Sequence, residues 1–184
     1  MKHEVLSETI VVPEGCTFLV DKKLIVAKGP KGELSRPLPD KKIIVSVQAS
    51  EVTLTYKQAT KREKRMLLTT KAHISNMLKG VVSGFVYKLK ICSGHFPMNV
   101  SVKGDVLEVK NFIGEKVPRK LVIKQGASVK VNGDEIIVES SDKEIAGQVA
   151  GSIENLMKRP GFDKRIFQDG IYIVEKDGKK IGKA

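Results

Sequence analysis

The sequence predicts an α+β fold of two duplicated small domains, each an antiparallel β-sheet with one α-helix packed on one face. Three observations predict it. Runs with β-branched residues at alternate positions fall in two blocks. Each block passes into a single stretch of helical period. The two helical stretches superimpose when one is shifted by 79 residues.

In the first block, Ile10-Val11-Val12 leads into the turn Pro13-Glu14-Gly15. Residues 17–20 and 24–28 flank Asp21-Lys22-Lys23 as a hairpin. Beyond Gly29-Pro30-Lys31-Gly32, residues 43–47 and 52–56 form a second strand pair. The period then changes. Thr60-Lys61-Arg62-Glu63 reads as a capping box, in which hydroxyl and carboxylate each satisfy a free amide at a helix start. Met66, Leu67, Ile74, Met77 and Leu78 follow at helical spacing, and Gly80 is expected to stop the helix.

The second block repeats the plan. Residues 85–91 read as a strand, and 99–103 and 106–110 as a hairpin across Gly104-Asp105. Residues 121–124, 128–131 and 136–139 give further strands, with Asn132-Gly133 as a tight turn. Ser141-Asp142-Lys143-Glu144 reads as a second capping box. Ile145, Ala146, Val149, Ile153, Leu156 and Met157 then share one helix face, and subtracting 79 gives Met66, Leu67, Thr70, Ile74, Met77 and Leu78. Gly32-Glu33 matches Gly114-Glu115 with a shift of 82. A surface helix alone often carries such a stripe, but stripe, capping box and strand order together indicate an internal duplication. The expected domains are residues 1–82 and 83–184, the second carrying a basic C-terminal tail.

Composition narrows the function. Lys and Arg number 33 against 21 Asp and Glu, a net charge of +12 in 184 residues, which points to an anionic partner, nucleic acid before an acidic membrane surface. Aromatics make up 5% and Trp is absent, so base stacking is not expected to be the main mode of binding. Glu4, Glu8 and Glu14 interrupt the first apolar run, against a secretory leader, and no run is long enough to span a membrane. Cys16 and Cys92 stand 76 residues apart outside any metal-ligand spacing, so reduced thiols in the cytoplasm are expected, with no cofactor or metal. His3, His73 and His95 pair with no nucleophile motif, and no GxSxG, HExxH or Walker loop occurs. In 28–32, Pro30 removes a donor that a phosphate cradle would need. The sequence therefore predicts a protein that is not an enzyme.

The cations cluster. Residues 57–71 carry six Lys/Arg against Glu63 alone, either a solvated helix face or a contact surface. In the second half, Lys116 and Arg119 lie in a loop, 111–119, shaped by Gly114 and Pro118. Lys158, Arg159, Lys164 and Arg165 follow the second helix around Pro160-Gly161, and Lys176, Lys179, Lys180 and Lys183 close the chain. Loop cations beside Gly and Pro suit phosphate, because the backbone approaches closely and no helical neighbour holds the charge. Gln148, Ser152 and Asn155 lie on one face of the second helix. A reader of folded RNA by shape and backbone fits better than a major-groove DNA reader. A protein-interaction or membrane-surface module is the alternative of another class.

Val26-Ala27-Lys28-Gly29-Pro30-Lys31-Gly32-Glu33, Ala72-His73-Ile74-Ser75-Asn76-Met77, Gly80-Val81 and Gly84-Phe85 resemble the N-terminal half of the large-subunit ribosomal protein L-six family. His95-Phe96-Pro97, Asn111-Phe112-Ile113-Gly114-Glu115-Lys116 and Asp163-Lys164-Arg165-Ile166-Phe167-Gln168-Asp169-Gly170-Ile171-Tyr172 resemble its archaeal and eukaryotic branch, whose eukaryotic member is called protein nine. The resemblance implies a structural constituent of the large ribosomal subunit, in the cytoplasm and in single copy. It implies docking chiefly by the second domain onto domain six of the large-subunit rRNA, near the sarcin–ricin loop and the translation-factor site. Neighbouring ribosomal proteins and, nearby, translation factors are the other implied partners. Carried over by motif, the implied rRNA contacts are Lys116, Arg119, Gln148, Ser152, Lys158, Arg159, Lys164 and Arg165; Lys176, from the basic tail, is a candidate contact beside them. Phe167 and Tyr172 are expected either to pack the terminal segment or to touch RNA, and Asp169 to accept hydrogen bonds within the protein.

Overall fold

In a computed structural model the chain divides between Gly84 and Phe85 into two compact units. The structure describes residues 3–21, 24–40, 42–48, 51–163 and 165–181, with only the backbone described at 3 and 4. The centre of the Asp21-Lys22-Lys23 turn, Lys164 and the last three residues lie outside them.

In the first unit, β1 (His3–Val11), β5 (Ile44–Gln48) and β6 (Glu51–Ala59) form an antiparallel sheet in the order β1-β6-β5. A second sheet, β2-β3-β4, joins β2 (Thr17–Asp21), β3 (Leu24–Gly29) and β4 (Gly32–Pro37). Strand β4 is absent from the sequence reading. It is an edge strand with no β-branched residue and a terminal Pro37, and these features hide it. Alternation along β6 sends Val52, Leu54 and Tyr56 inward, where they meet Leu67, Ile74 and Leu78 of the helix α1 (Lys61–Val82) in one core.

The capping box at Thr60 and Glu63 forms as expected, the Thr60 amide donating to the Glu63 carboxylate at 2.9 Å. Gly80 does not stop α1. It is buried within the helix, which runs on to Val82, and the left-handed residue that ends it is Gly84 at φ +72°. The end is fixed from outside: the β3–β4 turn brings Lys31 N to Val81 O (2.9 Å) and Lys31 Nζ to Ser83 O (2.6 Å). Residues 28–32 therefore form a turn that caps a helix. Gly29 permits the approach, since a Cβ there would lie 2.8 Å from Val81 O.

The second unit repeats this arrangement. Strands β7 (Phe85–Cys92), β11 (Ala127–Asn132) and β12 (Glu135–Ser140) stand in the order β11-β12-β7, matching β5-β6-β1. The free side of β7 is extended by β13 (Gly170–Lys176) and β14 (Lys179–Lys180). A separate sheet, β8 (Asn99–Lys103), β9 (Val106–Lys110) and β10 (Arg119–Val122), corresponds to β2-β3-β4. Helix α2 (Lys143–Leu156) buries Ala146, Val149, Ala150 and Ile153 against Phe85, Leu89, Ile136 and Val138. The α+β class with duplicated sheets and one helix each is therefore the observed fold.

Boundaries differ from the sequence reading at several points, three of which bear on the second helix and the loops around it. Asn132 pairs with Glu135, so the tight turn is Gly133-Asp134, with Gly133 at φ +59°. Helix α2 is capped by Asp142, whose carboxylate accepts from Glu144 N (2.8 Å), one residue later than the box anticipated at Ser141. Both residue types serve as N-caps, so sequence left a choice that the backbone made. Strand β10 begins two residues early, which puts Arg119 in a strand, opposite Val109, and not in a loop.

Candidate nucleic-acid interface

The loop from β9 to β10 has a fixed shape. Asn111, Ile113 and Gly114 all take positive φ (+60°, +47° and +73°), and for a β-branched residue such as Ile113 this conformation is strained. Local contacts hold it. Asn111 Nδ2 donates to Pro97 O at 3.0 Å, Glu115 N donates to Phe112 O at 2.9 Å, and the Phe112 ring is fully buried. Lys116, at the tip, is exposed.

Arg119 joins this loop to the end of α2. Its Nε and Nη2 donate to the two carboxylate oxygens of Glu115 (2.7 and 2.6 Å), and Nη1 donates to Leu156 O (2.5 Å) and Lys158 O (3.3 Å). The guanidinium lies 4.4 Å from the centre of the Phe112 ring. The last turn of α2 contains no basic residue, so Arg119 supplies the cation that helix carbonyls favour at that end. Its hydrogen bonds hold the Glu115 carboxyl below the usual carboxylate range, with the nearby charges of Arg119 and Arg159 adding to the effect. In this structure the Arg119 fork, an RNA contact in the sequence reading, donates to protein acceptors and braces the loop against the end of α2.

The other candidates differ in availability. Lys158 is exposed directly after the braced carbonyls. Neither Lys116 nor Lys158 has an acidic partner among the described residues. Arg159 lies 3.6 Å from Glu115 Oε1 and stacks 4.3 Å over the Phe162 ring. Arg165, 90% exposed, is paired with Asp163 at 2.8 Å, which pulls the Asp163 carboxyl down through that hydrogen bond. Lys164 lies outside the described residues. Along α2, the Gln148 Oε1 accepts from Lys124 Nζ (2.6 Å), and Ser152 is half-buried one turn on. Lys176 stands apart: it is at the far end of β13, about 20 Å from Gly170 at strand spacing.

Asp169 ties the 163–169 segment to the loop after β7. It is buried, and it accepts from Gly94 N (2.5 Å), His95 N (3.0 Å) and His95 Nδ1 (2.5 Å). Burial pushes this carboxyl up, but the His95 and Gly94 hydrogen bonds outweigh it and bring it below its ordinary value. Phe167 packs between the His95 ring (5.0 Å) and the Phe162 ring (4.9 Å). The Tyr172 hydroxyl donates to Gln168 O at 3.1 Å. Asp169 is thus the internal acceptor that the sequence suggested, and His95 is a hydrogen-bonding residue.

The described residues contain no helix long and apolar enough to cross a membrane and no cluster of metal-ligating side chains.

A family model described as ribosomal protein L6 matches residues 12–84 and again 96–170, once in each unit. Large ribosomal subunit protein uL6 of Methanobrevibacter smithii is 40% identical over 172 residues, covering 94% of this chain and 97% of that protein. The proteins of the same name from Methanococcus vannielii and Methanosarcina mazei are each 42% identical, over 176 and 171 residues, and in each case 97% of the relative is covered. Two copies of one α+β plan, each matched by the same model, place this chain in the ribosomal protein L6 family.

Proposed function

We propose that this protein is a structural, non-catalytic constituent of the large ribosomal subunit in the cytoplasm, and that its second unit binds large-subunit rRNA. The relatives carry the name of large ribosomal subunit proteins and match along nearly the whole chain. One observation carries the RNA reading. Lys116 and Lys158 emerge exposed from two segments that the Arg119–Glu115 brace holds together. Cations on a pre-shaped backbone lose little freedom on meeting phosphate and release condensed counterions. The finer reading is docking onto domain six of the rRNA near the sarcin–ricin loop and the translation-factor site, in single copy, beside neighbouring ribosomal proteins and translation factors. Lys116, Lys158, Arg159, Lys164 and Arg165 face phosphate in this reading, with Gln148 and Ser152 as flanking polar contacts and Arg119 as the support. Lys176 is a peripheral contact.

Sucrose-gradient fractionation combined with cross-linking from the full chain tests this. Co-sedimentation with large subunits, with cross-links from 111–119 and 158–165 to rRNA, is the expected result. A slowly sedimenting protein, or cross-links from those segments to polypeptide alone, contradicts it.

A further inference from the structure

Four of the protein's nine aromatic side chains (six Phe and three Tyr in all) gather at one place. Phe112, Phe162, Phe167 and Tyr172 line a cavity of about 130 Å³ at the exit of α2. Its walls are pre-set. The close approach of the Tyr172 ring is possible because residue 170 is Gly: a Cβ there would lie 3.2 Å from the ring. The hydroxyl of Tyr172 is held by Gln168 O, and Phe167 is held between His95 and Phe162. Arg159, 4.3 Å over the Phe162 ring, places positive charge at the rim, beside exposed Lys158.

The geometry points to a pocket for a single unstacked nucleobase, with cytosine as the preferred occupant. Size sets an upper limit of one ring, since a somewhat larger cavity, about 150 Å³, takes a single benzene. Chemistry argues for an RNA base: aromatic and guanidinium planes stack bases, and rim cations meet the attached phosphate. Glu154 argues for an amino group. Its Oε1 lies 3.5 Å from Ile173 N, and Oε2 has no partner among the described residues. At the C4 substituent a carboxylate accepts from the cytosine N4 amine and repels the uracil O4 carbonyl. This inference rests on the RNA-binding reading above and names what one part of that surface takes.

The test uses the full chain and two probes, cytidine 5′-monophosphate and uridine 5′-monophosphate, followed by the NMR ring resonances of Tyr172 and Phe167. The expected result is saturable movement of both rings by the cytidine nucleotide and about tenfold weaker binding of the uridine one. Glu154→Gln should bring the two nucleotides to similar affinity, because an amide both donates and accepts. Ribose 5-phosphate should leave the rings unmoved. Equal effects of cytidine nucleotide and ribose 5-phosphate on the rings would overturn the pocket. So would an unchanged cytidine preference in Glu154→Gln. Filter binding of large-subunit rRNA by the same preparation separates the two ideas. Wild-type rRNA affinity without a ring response removes the pocket alone, whereas a ring response without rRNA affinity removes the rRNA reading alone.

Discussion

Arg119 grips both carboxylate oxygens of Glu115, at 2.7 and 2.6 Å, while the same guanidinium reaches the carbonyl of Leu156 at 2.5 Å. One side chain therefore fixes a strained loop, its own strand and the end of α2. Arg119→Ala should destabilise the second unit by about 2–3 kcal/mol, the range for charged hydrogen bonds lost in a partly buried setting. Arg119→Lys should recover less than half of that, because an ammonium cannot reproduce the planar fork. Native-state hydrogen exchange of β12 amides measures both, and β6 amides should not change.

The first unit holds the end of its helix in the same way, with Lys31 on Val81 O and Ser83 O. Here Gly29 is the vulnerable point, since a Cβ would lie 2.8 Å from the Val81 carbonyl oxygen. Backbone cannot yield as a flexible side chain does. Gly29→Ala should cost the first unit about 1–3 kcal/mol, the usual range for overpacking. The expected readout is faster exchange at β6 and α1 amides, with β12 unaffected.

Acid should loosen the second unit through Asp169 and Glu115, whose carboxyls are both held below their ordinary values. A depressed carboxyl binds fewer protons folded than unfolded. Its contribution is thus complete above the unfolded pKa, about 3.9 for Asp and 4.3 for Glu, and is lost as pH falls through the folded value. Asp169→Asn should be less stable than wild type at pH 6, and the gap should narrow as pH drops below about 4. A gap that stays constant across urea melts from pH 6 to pH 3 would contradict this.

Much of the fold was legible because period and turn chemistry are local signals. Val52, Leu54 and Tyr56 alternate, Ile74, Met77 and Leu78 recur at helical spacing, and the shift of 79 relates the helices. Strand β4 was hidden because an edge strand ending in Pro37 lacks the pattern of a half-buried one. The candidate cations could be picked out in the sequence, but their hydrogen-bond partners could not. Arg119 looks like Lys116 in sequence, yet its acceptors include backbone carbonyls 37 and 39 residues away, which have no residue signature. The aromatic cavity was invisible for a related reason: a bulk content of 5% says nothing about four rings meeting at one place.

In the proposed function, cations of the second unit hold rRNA phosphate. Filter binding of the full chain to large-subunit rRNA across a salt series tests it most directly, comparing wild type with Lys116→Ala/Lys158→Ala/Arg165→Ala and with Lys61→Ala/Lys64→Ala/Arg65→Ala. Each lost phosphate contact should lower the slope of log K against log salt by about 0.7–0.9. The second-unit variant should therefore lose roughly 2 to 3 from the slope, and more than the α1 variant loses. A second-unit variant with the wild-type slope and affinity would contradict the account.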